Sequence, residues 1–225
     1  MKFSEYIDSV KNKKIVVIGI GVSNTPLIER LLQCGCNVTA CDKSSREKLG
    51  DIAEKLEKLG AVLYLGEDYL KHLDGADIIF RTPGMHPDIP ELQAARERGS
   101  EVTSEMEVFF KVCPCRIIAV TGSDGKTTTT TIISELLKHA GYTVHVGGNI
   151  GRPLLCDADS MGKDDIAVLE LSSFQLMTMD SSPEIAVVTN VAPNHLDVHK
   201  DMAEYVSAKK NILLHQKSGD RVVLN

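Results

Sequence analysis

The stretch that most constrains this chain is Arg116-Ile-Ile-Ala-Val-Thr121 followed by Gly122-Ser-Asp-Gly-Lys-Thr-Thr128. An apolar β-type run breaks into a glycine-containing loop and reopens as a helix, the order that cradles phosphate. Gly122 and Gly125 permit backbone angles and close approach that side chains would block, so the N–H groups around Ser123 and Asp124 can converge on phosphate oxygens. The helix that follows points its positive end at the same place. Lys126 reaches the outer phosphates as a compact cation, and Thr127, followed by Thr128, offers a hydroxyl to magnesium. The general P-loop pattern has a glycine five positions before Gly125, where this chain has Val120. The loop is a variant, supported by its strand-to-helix context. In the helix, Ile132, Ile133, Leu136 and Leu137 recur at helical spacing and are the expected packed face.

Composition leaves room for two such units. The chain has 225 residues, 43% hydrophobic and 25% charged, which is ordinary globular composition. Net charge is −6, and no Lys/Arg block is interleaved with aromatics, so nucleic acid is not an expected partner. The first residues include acids and no long apolar run, and no later run approaches a membrane span, so a cytoplasmic protein without membrane insertion is expected. Six cysteines at 34, 36, 41, 113, 115 and 156 form no Cys-x2-Cys pair. They read as reduced packing thiols rather than ligands of a soft metal.

Residues 1–112 read as a Rossmann-like domain. Residues 14–26 give a buried strand, a turn containing Gly19 and Gly21, and a helix start, with Asn24 or Thr25 as cap and Pro26 near the first helical position. A second strand, 37–42, ends in Asp42, about twenty residues past the glycines, where a carboxylate suits a ribose or base. Asn24 stands where the dinucleotide fingerprint has its third glycine, which argues against NAD. Strands at 61–65, 77–80 and 101–104 alternate with helices at 48–58 and 90–98, predicting a parallel sheet covered on both faces. A helix over 105–112 closes the domain. Residues 113–225 add the phosphate loop, a strand over 143–146 with a glycine turn at 147–151, and strands at 165–170 and 185–190. These deliver Asn149, Glu170 and Asn190 at strand ends, and the loop beyond gathers His195 and Asp197. A helix over 201–215 follows, with Tyr205, Val206, Ile212 and Leu213 as its apolar face. Spacing alone turns Lys209 and Lys210 toward solvent.

As a set, these motifs resemble the Mur ligases of bacterial cell-wall synthesis. Thr121-Gly-Ser-Asp-Gly-Lys-Thr-Thr128 is similar to that family's own variant of the ATP loop. Gly148-Asn-Ile-Gly151, Glu170-Leu-Ser-Ser-Phe-Gln-Leu176, Asn194-His-Leu-Asp197 and Ala208-Lys209 follow in the family's order. The Glu170 motif and the Thr82-Pro83-Gly84 turn point to the D-glutamate-adding branch. The resemblance implies ATP-driven amide formation through an acyl phosphate, with UDP-N-acetylmuramoyl-L-alanine, D-glutamate and ATP as partners and a monomer as the acting unit. The implied catalytic residues are Lys126, Asn149, Glu170, His195 and Lys209. Magnesium would be held at two sites by Thr127, Glu170, His195 and Lys209, the lysine as its CO2 adduct, which reverses the solvent-facing reading above. Gly122, Ser123, Asp124, Gly125, Lys126, Thr127, Thr128 and Asn190 would hold the nucleotide. The substrate would meet Gly21, Val22, Ser23, Asn24, Asp42, Lys43, Thr82, Pro83 and Gly84 through its UDP, and Ser172 or Ser173 through its muramoyl-alanyl part. The expected fold is α/β: a Rossmann-like parallel-sheet domain, then a P-loop-type α/β ATPase domain that the chain leaves incomplete. The amino-acid-binding third domain of the family is not expected in it, and the 225 residues alone are expected to bind nucleotide without turnover. The alternatives are the L-alanine-adding branch, a non-catalytic nucleotide-binding module and an ordinary P-loop ATPase or kinase.

Overall fold

The computed structural model describes residues 1–193 and 199–225. The chain divides into two compact units, Met1–Val108 and Phe109–Asn225. The division falls inside a helix, four residues before the boundary read from the sequence.

In unit 1, α1 (Phe3–Val10) precedes β1 (Lys14–Ile18), α2 (Thr25–Gln33), β2 (Asn37–Asp42), α3 (Arg46–Leu49), α4 (Asp51–Lys58), β3 (Val62–Leu65), β4 (Ile78–Phe80), α5 (Pro90–Glu97) and β5 (Glu101–Thr103). The five strands are parallel in the order β3-β2-β1-β4-β5. Ile15 to Ile18 and all of β4 are buried, as continuous apolar runs must be in central strands covered on both faces. Leu92 and Ala95 of α5 pack on Val16, Ile18 and Ile79. The charged stretch expected as one helix is two, because Gly50 adopts φ 52 and breaks it between α3 and α4.

α6 (Glu105–Val112) crosses the division, and unit 2 continues with β6 (Arg116–Thr121), α7 (Lys126–His139), β7 (Val144–Gly148), β8 (Ile166–Glu170), α8 (Ser173–Leu176), β9 (Ile185–Val188), α9 (Met202–Leu214) and β10 (Arg221–Leu224). This sheet too is parallel, ordered β10-β9-β6-β8-β7. In each sheet the first strand lies at the centre and the order reverses beside it, so loops leaving neighbouring strands part there and open a crevice at the carboxyl ends.

Two packing expectations need correction. On α7, Ile133 and Leu137 pack against Ile118, Ile166 and Val168, but Ile132 is 54% and Leu136 66% exposed. The buried residues facing the sheet are the small Thr130 and Ser134, so the inward stripe is rotated from the one apolar spacing suggests. On α9 the buried set is Tyr205, Ala208, Lys209 and Ile212, with Lys209 in place of an apolar residue. β7 also runs two residues further than expected, carrying Gly147 and Gly148 into the sheet.

Candidate functional site

In unit 1 the loops after β1 and β4 border a cleft of about 540 Å³ lined by Gly19, Gly21, Asp42, Lys43, Thr82 and Gly84, with Tyr69, Met85 and His86. Gly19 has φ 94, and a Cβ there would meet Thr82 Cβ at 2.9 Å; only glycine lets the two loops approach so closely. Asp42 braces the floor, Oδ2 accepting from Ile20 N at 2.6 Å and Oδ1 from Ser44 N at 2.7 Å. Arg81 is fully buried and donates to the carbonyls of Pro83 at 3.4 Å and Met85 at 3.1 Å, fixing the turn on the opposite wall. Burial, opposed by the Glu107 charge, moves the Arg81 guanidinium below its usual range. Of the expected contacts, Gly21, Asp42, Lys43, Thr82 and Gly84 line the cleft. Val22 is 78% exposed. Asn24 is buried beneath the turn, where its side-chain amide donates to Ile18 O at 2.9 Å. A glycine at that position allows close helix packing; Asn24 instead ties the helix start to the strand end.

In unit 2 the phosphate loop is braced from behind by residues that follow β9. Asn190 Oδ1 accepts from Ser123 N at 3.1 Å and Asp124 N at 2.9 Å, and Thr189 Oγ1 donates to Asp124 O at 2.6 Å. Asn190 therefore shapes the loop. Gly122, at φ 152, lies where a Cβ would run into Thr189 Oγ1 and the Asn190 backbone. Ser123 Oγ donates to Ala192 O at 2.8 Å and is hydrogen-bonded to the Tyr205 hydroxyl at 2.9 Å. Gly125, at φ 76, is the N-cap of α7. It has no side chain to cap the helix, and the amides of Lys126, Thr127 and Thr128 have no acceptor one turn back, so they are donors for an anion.

The carboxyl end of β8 supplies the acid. Glu170 is 2% exposed. Its Oε2 accepts from Thr127 Oγ1 at 2.6 Å and its Oε1 from Asn149 Nδ2 at 2.8 Å. Gly148 permits this approach, since at φ 92 a Cβ would clash with the Glu170 carbonyl. A buried carboxylate beside a hydroxyl oxygen, met by neutral donors, is the hard oxygen set that a magnesium ion prefers. Thr127 and Glu170 thus fit a magnesium ion that would also bind phosphate oxygens. Among the described residues, no three His, Cys, Asp or Glu side chains gather as a metal site; His195 and Asp197 lie outside the described residues.

A cleft of about 150 Å³ beside the loop is lined by Gly122, Lys126, Asn149, Ser172, Ser173, Phe174, Tyr205 and Lys209. Both lysines reach the loop carbonyls: Lys126 Nζ donates to Gly122 O at 3.1 Å and Ser123 O at 2.8 Å, and Lys209 Nζ to Gly122 O at 2.8 Å. Lys209 is 4% exposed, 4.5 Å from the Tyr205 ring centroid. Burial first, then the Lys126 charge, lowers its pKa to about 8. Ser172 caps α8, its hydroxyl accepting from Gln175 N.

His199, Glu204 and the Tyr205 hydroxyl were not singled out from the sequence. Ser173 Oγ lies 2.8 Å from His199 Nε2, and His199 Nδ1 lies 3.1 Å from Glu204 Oε1. With the carboxylate as acceptor, Nδ1 carries the proton and Nε2 accepts from Ser173. The ring stacks on Phe174 at 5.0 Å and meets the edge of Tyr205. The partners of His199 come from α8 and α9, so no local spacing announces this hydrogen-bond chain.

Comparison with known proteins agrees with this architecture. Residues 13–104 match the family model "Mur ligase MurD-like, N-terminal domain" and residues 120–225 match "Mur ligase middle domain". The chain is 58% identical over 223 residues to a UDP-N-acetylmuramoylalanine--D-glutamate ligase of Clostridium botulinum (strain Okra / Type B1), a match covering 99% of this chain and 49% of the relative. It is likewise 58% identical over 224 residues to a ligase of the same name from Acetivibrio thermocellus, covering 100% of this chain and 48% of the relative. The chain spans about half the length of the curated relatives it matches. Among solved structures, the UDP-N-acetylmuramate:L-alanyl-gamma-D-glutamyl-meso-diaminopimelate ligase from Neisseria meningitides superposes with a TM-score of 0.59 at 21% identity, over 95% of this chain and 71% of that one. UDP-N-acetylmuramate-alanine ligase from Thermotoga maritima gives 0.52 at 23% identity, over 95% of this chain and 49% of that one. At these identities the structures speak for the fold. With a MurD-like N-terminal domain followed by a Mur ligase middle domain, the chain belongs to the Mur ligase family.

Proposed function

We propose that these two domains are the substrate-nucleotide and ATP-binding parts of a cytoplasmic ligase that adds D-glutamate to UDP-N-acetylmuramoyl-L-alanine in peptidoglycan synthesis. The observation that carries this reading is 58% identity along 99% of the chain to a D-glutamate-adding ligase. It is supported by Lys126, Thr127, Asn149, Glu170 and Lys209 meeting around one loop. D-glutamate addition by the whole protein rests on the relatives' full length, of which this chain spans about half.

In the first step, an oxygen of the alanyl carboxylate attacks the γ-phosphorus of ATP, the bond to ADP breaks, and an acyl phosphate forms. In the second, the uncharged amine of D-glutamate attacks the acyl carbon, inorganic phosphate leaves, and the amine gives up a proton. Transfer of this kind needs alignment and charge neutralisation more than covalent help. Magnesium, when bound, would neutralise charge on the transferring phosphoryl group. Thr127 and Glu170 would hold one ion. The α7 amides of Lys126, Thr127 and Thr128 would bind phosphate oxygens, with Lys126 turning from the loop carbonyls to the outer phosphates. Asn149 orients Glu170 and would direct its remaining hydrogen-bonding capacity at the substrate. Lys209 is buried and its pKa is lowered, which favours the neutral amine that adds CO2; with His195, the resulting carbamate would complete a second ion site. Ser172 and Ser173 would face the muramoyl-alanyl part, and the unit 1 cleft would take the UDP, between Gly21 and the Thr82-Pro83-Gly84 turn.

The test is substrate-dependent ADP release by the whole protein, with UDP-N-acetylmuramoyl-L-alanine and each amino acid in turn. D-glutamate-dependent turnover is expected. Turnover with UDP-N-acetylmuramate and L-alanine would instead assign the L-alanine-adding branch.

A further inference from the structure

Unit 2 carries a second cluster of reactive side chains, at the opposite end of β6 from the phosphate loop. Cys113-Pro114-Cys115 joins the end of α6 to the start of β6. The two sulfurs lie 3.5 Å apart in hydrogen-bonding contact, and Cys113 Sγ also lies 3.5 Å from the Cys115 carbonyl. We propose that Cys113 and Cys115 are a reversible thiol-disulfide couple, a modification site at the amino end of the strand whose carboxyl end leads into the phosphate loop.

The geometry favours closure. A disulfide needs sulfurs about 2.05 Å apart, so the pair has roughly 1.5 Å to travel, within the reach of side-chain rotation. Pro114 fixes its own φ, so the tripeptide starts with fewer conformations to lose. The two sulfurs also differ in accessibility. Cys113 is half-buried, whereas Cys115 is 5% exposed.

Their surroundings set the chemistry. The hydrogen bond from Cys113, then that from the Ala167 amide, holds the Cys115 thiol below its usual range, while the same contact and burial push Cys113 up. Glu184, which also accepts from Ile117 N, and Asp165 both oppose negative charge at the pair. Of the two sulfurs, Cys115 is therefore the readier to carry negative charge. A low-molecular-weight disulfide such as glutathione disulfide is the oxidant. Cys113, the more exposed sulfur, attacks one glutathione sulfur as its own proton leaves, and the other glutathione departs as a thiolate that takes up that proton. Cys115 then attacks Cys113 Sγ and expels the second glutathione. Two cysteine thiols give one disulfide, and one glutathione disulfide gives two glutathiones. Among the described residues no third His, Cys, Asp or Glu ligand joins the pair, which favours the disulfide over a bound metal.

Cys34-Gly35-Cys36 has the same spacing and serves as the internal comparison. The folded chain is equilibrated across a series of glutathione redox buffers, quenched in acid, alkylated, digested and read by mass spectrometry. The expected result is a Cys113-Cys115 disulfide, lost on reduction, that is half-formed at an oxidised-glutathione share about tenfold below that required by Cys34 and Cys36. Only a glutathione adduct on Cys113, no oxidation of the pair, or closure no easier than at Cys34 and Cys36 would each overturn the proposal. Because Cys115→Ser alters a buried position, Cys113→Ser at the half-buried position is the second variant: it should leave the chain folded and abolish the crosslink.

Discussion

Gly122 O receives two lysines. Lys126 and Lys209 both donate to it, and their repulsion is one reason that Lys209 titrates near 8. A lowered lysine pKa means that the neutral amine, the form that adds CO2, becomes abundant as pH rises through about 8 rather than through the usual range. At fixed dissolved CO2, 13C NMR with labelled CO2 should therefore show a carbamate signal that grows between pH 7 and 9 and disappears in Lys209→Ala. Lys126→Ala should weaken magnesium-ATP binding by roughly 10- to 100-fold, the worth of a hydrogen bond to a charged group, as read by calorimetry. The position of Lys126 at the loop is legible in the chain because the glycines beside it are. The burial of Lys209 is not, because helical spacing reports only its neighbours on α9, whereas Gly122 and the Tyr205 ring decide its environment. Asn190 is similar: a strand-end amide suggests a ligand contact, but its partners, the Ser123 and Asp124 amides, come from a loop 66 residues away.

At the scale of elements, the strands were largely legible. β2, β6 and α6 have the bounds that their patterns predict, because buried parallel strands are bare apolar runs with glycine and acid at their ends. Side-chain orientation on helices was less so: Ile132 and Leu136 face outward because the close packing of α7 against the sheet selects small Thr130 and Ser134. The register of β7 against β8 depends on Gly148. Gly148→Ala combines a left-handed φ with a clash at the Glu170 carbonyl and should cost at least about 2 kcal/mol, measured by denaturant unfolding. Between α8 and α9, the Ser173-His199-Glu204 chain is a tie that no local pattern announces. His199→Gln leaves a polar group that cannot meet both partners, and should lower stability by about 1–3 kcal/mol while leaving binding in the unit 1 cleft unchanged.

Over the whole molecule, each unit is a parallel sheet with its first strand at the centre, and each candidate site lies where the strand order reverses. Alternation of strands and helices made that architecture readable. The proposed ligand was not readable from architecture; it came from motif order and is supported by likeness to the D-glutamate-adding ligases. In unit 1, Arg81 holds the Pro83 and Met85 carbonyls from below. Arg81→Ala should loosen that wall and weaken ligand binding there about tenfold or more, a loss of at least about 1.4 kcal/mol. The most direct measurement is calorimetric titration of the 225-residue chain with UDP-N-acetylmuramoyl-L-alanine, against UDP-N-acetylmuramate and NAD. Saturable one-to-one binding that favours the alanyl nucleotide, with NAD silent, is the expected result. Binding of NAD in place of either muramoyl nucleotide would contradict it.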